Sequence, residues 1–333
     1  MGQLRWRGSI LSLRFFVYTS TLILLLILPF LLSPFDLILL EYGLALALVG
    51  LGFNLLLRYT GLLSFGHGAY FATGAYTVAM VGRYIPELYS LEMLLPLSVL
   101  FSFIVSFVFG FICVRHTRIF FAILTLSLSM LVFALLFKLY HITGGSDGLY
   151  IPIPSVFGMV FNRRPDFLSG FFYYFLVFVF VVGFLFMKAV VNSPFGKALQ
   201  AIRDNEIRAE LVGIRVKRYR LYAFVISGIF TGVGGTLWSF VNGHVTPEVA
   251  HWFFSGEIVY MVLLGGFANF EGPIIGAIVF TFLKLYAMSF TEYWMFIIGI
   301  TLIILVLLLP TGIAGGIYRL ITEIRKRKTL SGI

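Results

Sequence analysis

The sequence predicts an all-α polytopic membrane protein with about eight to ten transmembrane helices, some of them broken at glycine-rich segments. Three observations predict it. Of 333 residues, 60% are hydrophobic and only 11% are charged, whereas a soluble domain carries about a quarter charged residues. The mean hydropathy is +1.02. The apolar residues also fall into runs close to the roughly 20 residues that a helix needs to cross a bilayer. Soluble enzymes, disordered chains and disulfide scaffolds are excluded. The single cysteine, Cys113, has no intrachain partner and no neighbours with which to hold a metal, so no metal site is expected.

Taken in order, the runs are 15–32, 36–57, 61–81, 93–113, 119–139, 170–190, 221–241, 257–270, 272–290 and 294–310. The first follows Arg5, Arg7 and Arg14 and lacks a small-residue cleavage pattern, so it reads as a retained anchor. The run 257–270 is too short to cross alone. With the N-terminus inside, segments 1–14, 58, 115–118, 188–220 and 318–333 hold 19 of the 24 basic residues. The outer loops hold only Arg83, Lys138, Arg163 and Arg164, and Lys284 lies within a run. This is the asymmetry of cytoplasmic against translocated loops, and it makes the net charge of +10 a mark of orientation and lipid contact rather than of a nucleic-acid partner. Both termini are expected in the cytoplasm. Residues 257–310 then cross either three times or once with a re-entrant hairpin. The organisation is a basic N-terminus (1–14), one transmembrane domain (15–310) with a cytoplasmic loop at 192–220, and a basic tail (311–333).

Helices in lipid associate through small residues that let backbones approach. Ser64, Gly68, Ala72, Ala75 and Ala79 form one such stripe; Gly43, Ala47, Gly50 and Asn54 form a second, and Gly228, Gly232, Gly235 and Ser239 a third. Where glycines cluster beside polar groups, an unwound turn at membrane depth is expected, and such turns are tolerated where they line a pathway. Gly61–Gly68 is one candidate, with Ser64, Gly66 and His67; Gly265–Pro273 is the other, with Gly266 and Asn269. An offset of 205 aligns Gly61 with Gly266, Ser64 with Asn269 and Phe65 with Phe270, which suggests an internal repeat. Asn54, Ser64, Gly66, His67, Gly68, Gly265, Gly266 and Asn269 are therefore the candidate pathway residues, although a lone histidine such as His67 is more often a hydrogen-bonded packing residue than a ligand. The spans carry no chain of Asp, Glu and His of the kind that proton- or sodium-driven carriers use. The driving energy is expected from elsewhere.

The run Asn192–Gly213 reads as an amphipathic helix. Ser193 can cap it, Pro194 suits its first turn and Gly213 its left-handed end. Ala198, Ile202, Asn205, Ala209 and Val212 form a stripe of mainly small and apolar side chains, and Arg203, Asp204, Glu206, Arg208 and Glu210 carry the charges. Small side chains with interleaved charges suit docking into a protein cleft better than lying on lipid; a solvated connector is the plainer alternative. No G-x-x-x-x-G-K-[ST] loop is present, since Gly196-Lys197 is followed by Ala198, and no hydrolase or metalloprotease motif occurs. The chain is expected to catalyse nothing and to bind no cofactor.

Four stretches, Thr60–Tyr76 (TGLLSFGHGAYFATGAY), Thr143–Leu149 (TGGSDGL), Ser193–Gly213 (SPFGKALQAIRDNEIRAELVG) and LLGG with GPIIGA between Leu263 and Ala277, together resemble the LivM-type permeases of bacterial branched-chain amino-acid ABC transporters. The resemblance covers nearly the whole chain in order. It implies a permease subunit of the bacterial plasma (inner) membrane that pairs with a LivH-like second permease. Two cytoplasmic ATPases would use ATP-Mg on its behalf, and an extracytoplasmic binding protein would deliver the substrate. It also implies that 193–213 is the coupling helix, with Phe195, Gly196, Arg203, Asp204, Glu206, Ala209, Glu210 and Gly213 at the ATPase. Ala209, Glu210 and Gly213 match the most recognisable positions of the family's EAA loop, which is degenerate here. Urea and short-amide permeases share these motifs. An ion-coupled secondary transporter and a polytopic membrane enzyme are the readings from other classes.

Overall fold

The computed structural model describes residues 18–309 and 311–319; the basic stretch 1–14 and the end of the tail, 320–333, lie outside the described residues. Helices account for nearly all of it: α1 (Tyr18–Leu31), α2 (Pro34–Asn54) prolonged by a π-helical turn (Leu55–Thr60), α3 (His67–Tyr84), α4 (Leu91–Cys113), α5 (Arg118–Lys138), α6 (Tyr173–Asn192), α7 (Pro194–Asp204), α8 (Glu206–Leu211), α9 (Val216–Asn242), α10 (Trp252–Gly265), α11 (Gly272–Phe290) and α12 (Trp294–Leu308). Six helical stretches are long and apolar enough to cross a membrane, and α1, α10 and α12 are shorter apolar helices. Each of the ten expected runs overlaps one helix. Three begin elsewhere than expected: 61–81 starts with an unwound stretch and becomes helical only at His67, 221–241 is helical from Val216, and 257–270 is helical from Trp252.

At the centre lie two 27-residue helices, Pro34–Thr60 and Val216–Asn242, 72% and 78% buried, against 17–33% for the other four long stretches. They run antiparallel, because Tyr42 donates to Asn242 Oδ1 (2.9 Å) at one end while Gly52 faces Ser227 and Phe230 at the other. Ser33 starts α2 by accepting from Asp36 N (3.2 Å), with Pro34 in the first turn, where a missing N–H does no harm.

Helix α9 is the hub. The serine row of α4, Ser98, Ser102 and Ser106, is wholly buried and lies along Thr236, Gly232 and Gly228. On its other side Gly74 of α3 meets the backbone of Gly232 so closely that any side chain there would strike the Gly232 carbonyl. In lipid, which gives helices no hydrophobic reason to associate, such approach is what holds a bundle. Large apolar side chains turn outward; Phe103, Phe107 and Phe111 of α4 are exposed, as suits a lipid-facing surface. At the end of the bundle remote from 192–220, β1 (Leu149–Tyr150) pairs antiparallel with β2 (His244–Val245) and ties the connection between α5 and α6 to the exit of α9.

The repeat has a different register from the offset of 205. The first central helix ends on Gly61 (φ 72°) and the second on Gly243 (φ 74°). Each then returns through unwound or 3-10 chain to a shorter helix, α3 or α10. Gly61 therefore corresponds to Gly243, and Gly266 instead closes α10. A three-residue difference in the length of the two return segments hides this equivalence from any fixed offset.

Candidate translocation site and coupling loop

The two return segments meet inside the bundle, at the first turns of α3 and α10. Gly68 N donates to Ser255 Oγ (2.9 Å), and Ser129 Oγ of α5 donates to Ala250 O (2.8 Å). His67 and Ser64 are wholly buried. His67 Nε2 shares a hydrogen with Ser227 Oγ of α9 (2.8 Å), and its ring lies edge-on to Phe53 (4.9 Å) and Tyr70 (5.9 Å). Phe65 N donates to Thr125 Oγ1 (3.1 Å) and Gly66 N to Ser64 Oγ (3.2 Å). Asn54 is 2% exposed, and its Oδ1 has no partner among the described residues. Ser64, Gly66, His67 and Gly68 thus form one closed node, held by hydroxyl groups from three other helices.

The second predicted turn has other neighbours. Gly265 and Gly272 meet backbone to backbone, and Gly266 lies against Thr311 and Gly312. Asn269 N donates to Gly266 O (3.2 Å), and Glu271 accepts from Tyr18 (2.8 Å). This turn closes the α10–α11 hairpin at the same end of the bundle as the 192–220 loop.

Directly beside the closed node is an open one. A cavity of about 670 Å³ opens between α2, α9, α10 and α11 at the end remote from 192–220. Val249 and Phe254, which line it, flank Ala250 and stand next to Ser255, so the cavity floor is the segment that grips Gly68. Its walls are mainly apolar and rich in aromatic side chains, including Trp238, Trp252 and Trp294, and its charges are Glu248 and the pair Lys284–Glu257. Lys284 Nζ lies 2.7 and 2.6 Å from the two Glu257 oxygens. The charge pattern places Lys284 within a run and Glu257 at a run end without joining them. The available signal was that a lysine inside a span requires a carboxylate, and Glu257 lies on the adjacent antiparallel helix.

The 193–213 segment is two helices. Asn205 takes an extended conformation (φ −160°, ψ 108°) and caps α8 by accepting from Arg208 N (3.0 Å), which breaks the single helix expected. Its start and end are as read: Ser193 Oγ accepts from Gly196 N, Pro194 opens the first turn and Gly213 is left-handed (φ 89°). The predicted stripe holds only in part. Ile202 and Ala209 are buried, but the break rotates α8, leaving Val212 exposed with Ile207 and Leu211 at 71–81%.

Several of the remaining docking candidates face the bundle. Phe195 stacks on Tyr219 (5.5 Å), and Gly196 lies on the Val191 backbone. Arg203 Nη1 donates to Arg58 O in the last turn of the first central helix (2.7 Å), while its side chain packs on Gly61. That cation meets the carbonyl end of a helix, where the dipole favours positive charge. Glu206 forms a bidentate pair with Arg220 of α9 (2.7 and 2.8 Å). The loop therefore holds both central helices at once. Asp204 pairs with Arg203 (2.8 Å), and Glu210 points outward with the exposed apolar patch.

Comparison with known proteins agrees with this architecture. Residues 37–306 match the family described as "Branched-chain amino acid transport system / permease component". The permease protein LivM of a high-affinity branched-chain amino acid transport system of Escherichia coli (strain K12) is 30% identical over 327 residues, covering 92% of this chain and 76% of the relative. A probable LivM of Methanocaldococcus jannaschii is 25% identical, covering 72% and 69%. LivH of the E. coli system is 24% identical, covering 82% and 92%. No solved structure matches. A match across most of the chain, on a bundle of lipid-length helices with broken segments at its centre, makes this protein a member of the permease family of branched-chain amino acid transport systems.

Proposed function

We propose that this chain is one of two permease subunits of an ABC importer in a bacterial plasma membrane, that both its termini lie in the cytoplasm, and that its cargo is branched-chain amino acids. A LivH-like chain is the second permease, and an extracytoplasmic binding protein releases cargo at the mouth of the 670 Å³ cavity. Two cytoplasmic ATPases, which hold ATP-Mg, dock on α7–α8. The observation that carries this reading is the geometry of that loop. It presents Ile207, Leu211 and Val212 to solvent while Arg203 and Glu206 grip the ends of the two central helices.

A pull on α7 reaches Arg58 and Gly61 directly, and from Gly61 the chain runs seven residues to Gly68 and its bond to Ser255 at the cavity floor. A pull on α8 reaches α9, which holds His67 through Ser227. Both movements converge on the closed node, so ATPase closure has a mechanical route to opening it. In this scheme Asn54, Ser64, Gly66, His67 and Gly68 are the closure below the cavity. Gly265, Gly266 and Asn269 hold the hairpin that forms one of its walls.

The test is uptake by vesicles holding the complete complex, comparing leucine, other amino acids and urea with and without ATP. ATP-dependent leucine uptake supports the proposal; uptake that follows an ion gradient without ATP refutes it. Gly213→Pro, or charge reversal at Asp204 and Glu206, is expected to reduce both uptake and ATPase co-purification.

A further inference from the structure

The cavity holds one more piece of chemistry: two opposite charges, side by side, in a mainly apolar wall rich in aromatic side chains. Lys284 comes from α11 and Glu257 from α10, with side chains 25% and 13% exposed, so both are reachable from the cavity. Trp294 covers the ammonium at 5.2 Å and Phe280 at 6.0 Å. Charges largely buried in a helix bundle persist only when balanced, since a lone one away from water is costly. Lys284 and Glu257 balance each other.

We propose that the Lys284–Glu257 pair is a two-pole recognition site for a zwitterionic α-amino acid with an apolar side chain, with Lys284 taking the α-carboxylate and Glu257 the α-ammonium. The assignment rests on the permease reading above. A zwitterion can enter without disturbing the balance: one ion pair becomes two, and the net charge, with Glu248 as the third charge of the cavity, is the same before and after. An amino acid with an acidic side chain would bring a further negative charge into a cavity that already holds Glu248 outside the pair. Urea has no poles with which to part the pair. The aliphatic side chain is left facing Trp252, Phe254 and Phe280, and the volume of about 670 Å³ leaves room for water around one amino acid, which suits a cargo held briefly.

The experiment uses the complete complex reconstituted in lipid, with the leucine-loaded binding protein outside. For Lys284→Met and Glu257→Gln, the ATPase rate stimulated by the binding protein stays within about twofold of the unmodified complex, while leucine taken up per ATP falls at least tenfold. Lys284→Arg retains most of the uptake. Unchanged uptake per ATP in both variants overturns the proposal. So does full transport by the exchange Lys284→Glu with Glu257→Lys, which keeps the pair and inverts its poles; the pair would then be only a clamp between α10 and α11.

A second measurement needs no variant. Three of the four tryptophans of the chain line the cavity, so 5-fluorotryptophan in this chain reports occupancy by fluorine resonance. Leucine is expected to shift those resonances, while 4-methylpentanoate and 3-methylbutylamine, each lacking one pole, do not at equal concentration. Equal shifts from the one-pole analogues overturn the two-pole site. An unmodified complex that takes up no amino acid with ATP would instead refute the function proposed above.

Discussion

Breaking the Glu206–Arg220 pair separates the loop from α9, and the structure sets how much that costs. The Arg220 side chain is 6% exposed and Glu206 41%. Removing one partner of a fully buried pair costs about 3–5 kcal/mol, and an exposed pair contributes below about 1 kcal/mol. In Glu206→Gln the group left behind is the buried guanidinium, whereas the carboxylate that disappears was already half in water. The cost therefore falls between the two limits, at about 2 kcal/mol, a roughly 30-fold rise in the population with α8 undocked from α9. Hydrogen exchange should report it directly, as a loss of amide protection of about that factor in 206–211 that does not extend to the core of α9. In vesicles with the complete complex, ATPase binding persists through Ile207, Leu211 and Val212, and hydrolysis continues while uptake per ATP falls about tenfold or more. Unchanged protection at 206–211, together with unchanged uptake per ATP, would refute the claim that this pair carries force from the loop to α9.

The remaining expectations concern other links of the same route. Gly61→Ala places a side chain at φ 72° and 2.9 Å from Arg203 Cγ; a left-handed alanine costs about 1–2 kcal/mol, and displacement of Arg203 from Arg58 O should lower both the thermal midpoint and uptake, with Gly61→Asn milder on both. Gly232→Leu pushes a side chain into Ser102, whose Cβ lies 2.6 Å from the new Cβ, with the Tyr70 carbonyl of α3 in contact on the other side; overpacking of this kind costs about 1–3 kcal/mol, seen as lost accumulation of the chain in membranes. Ser255→Ala leaves the buried Gly68 N–H unpaired, at a cost of about 1–2 kcal/mol, and should change uptake severalfold with the amount of assembled complex constant. Replacing Ile207, Leu211 and Val212 together by serine removes the exposed apolar patch; the folded chain should still purify with its partner permease but no longer with the ATPases, as read by pull-down.

Much of this was legible from composition and local chemistry. The ten runs, the unwound stretch around His67, the serine and glycine signals at Ser193 and Gly213 and the small-residue stripes all follow from one fact: a chain in lipid must satisfy its own backbone and can pack only where side chains are small. What failed to show in the sequence is everything that depends on contacts between distant segments. Asn205 looks like one more residue of a helix face, and only the capping bond to Arg208 N and the pull of Arg220 on Glu206 make it a break. Glu206 and Arg203, read as surface charges of a docking face, turn inward because a buried guanidinium and a helix C-terminus offer them better partners than water does.

The sequence by itself determined the class of molecule, its span boundaries within a few residues, its family and the side chains at its unwound turns, because hydrophobic length, glycine and caps act over neighbouring residues. Tertiary structure decided which two helices form the centre, that Gly61 answers to Gly243, and that Lys284 meets Glu257 beside three tryptophans in one cavity. Those outcomes depend on which helix faces meet across many residues of intervening chain, and no local pattern encodes that.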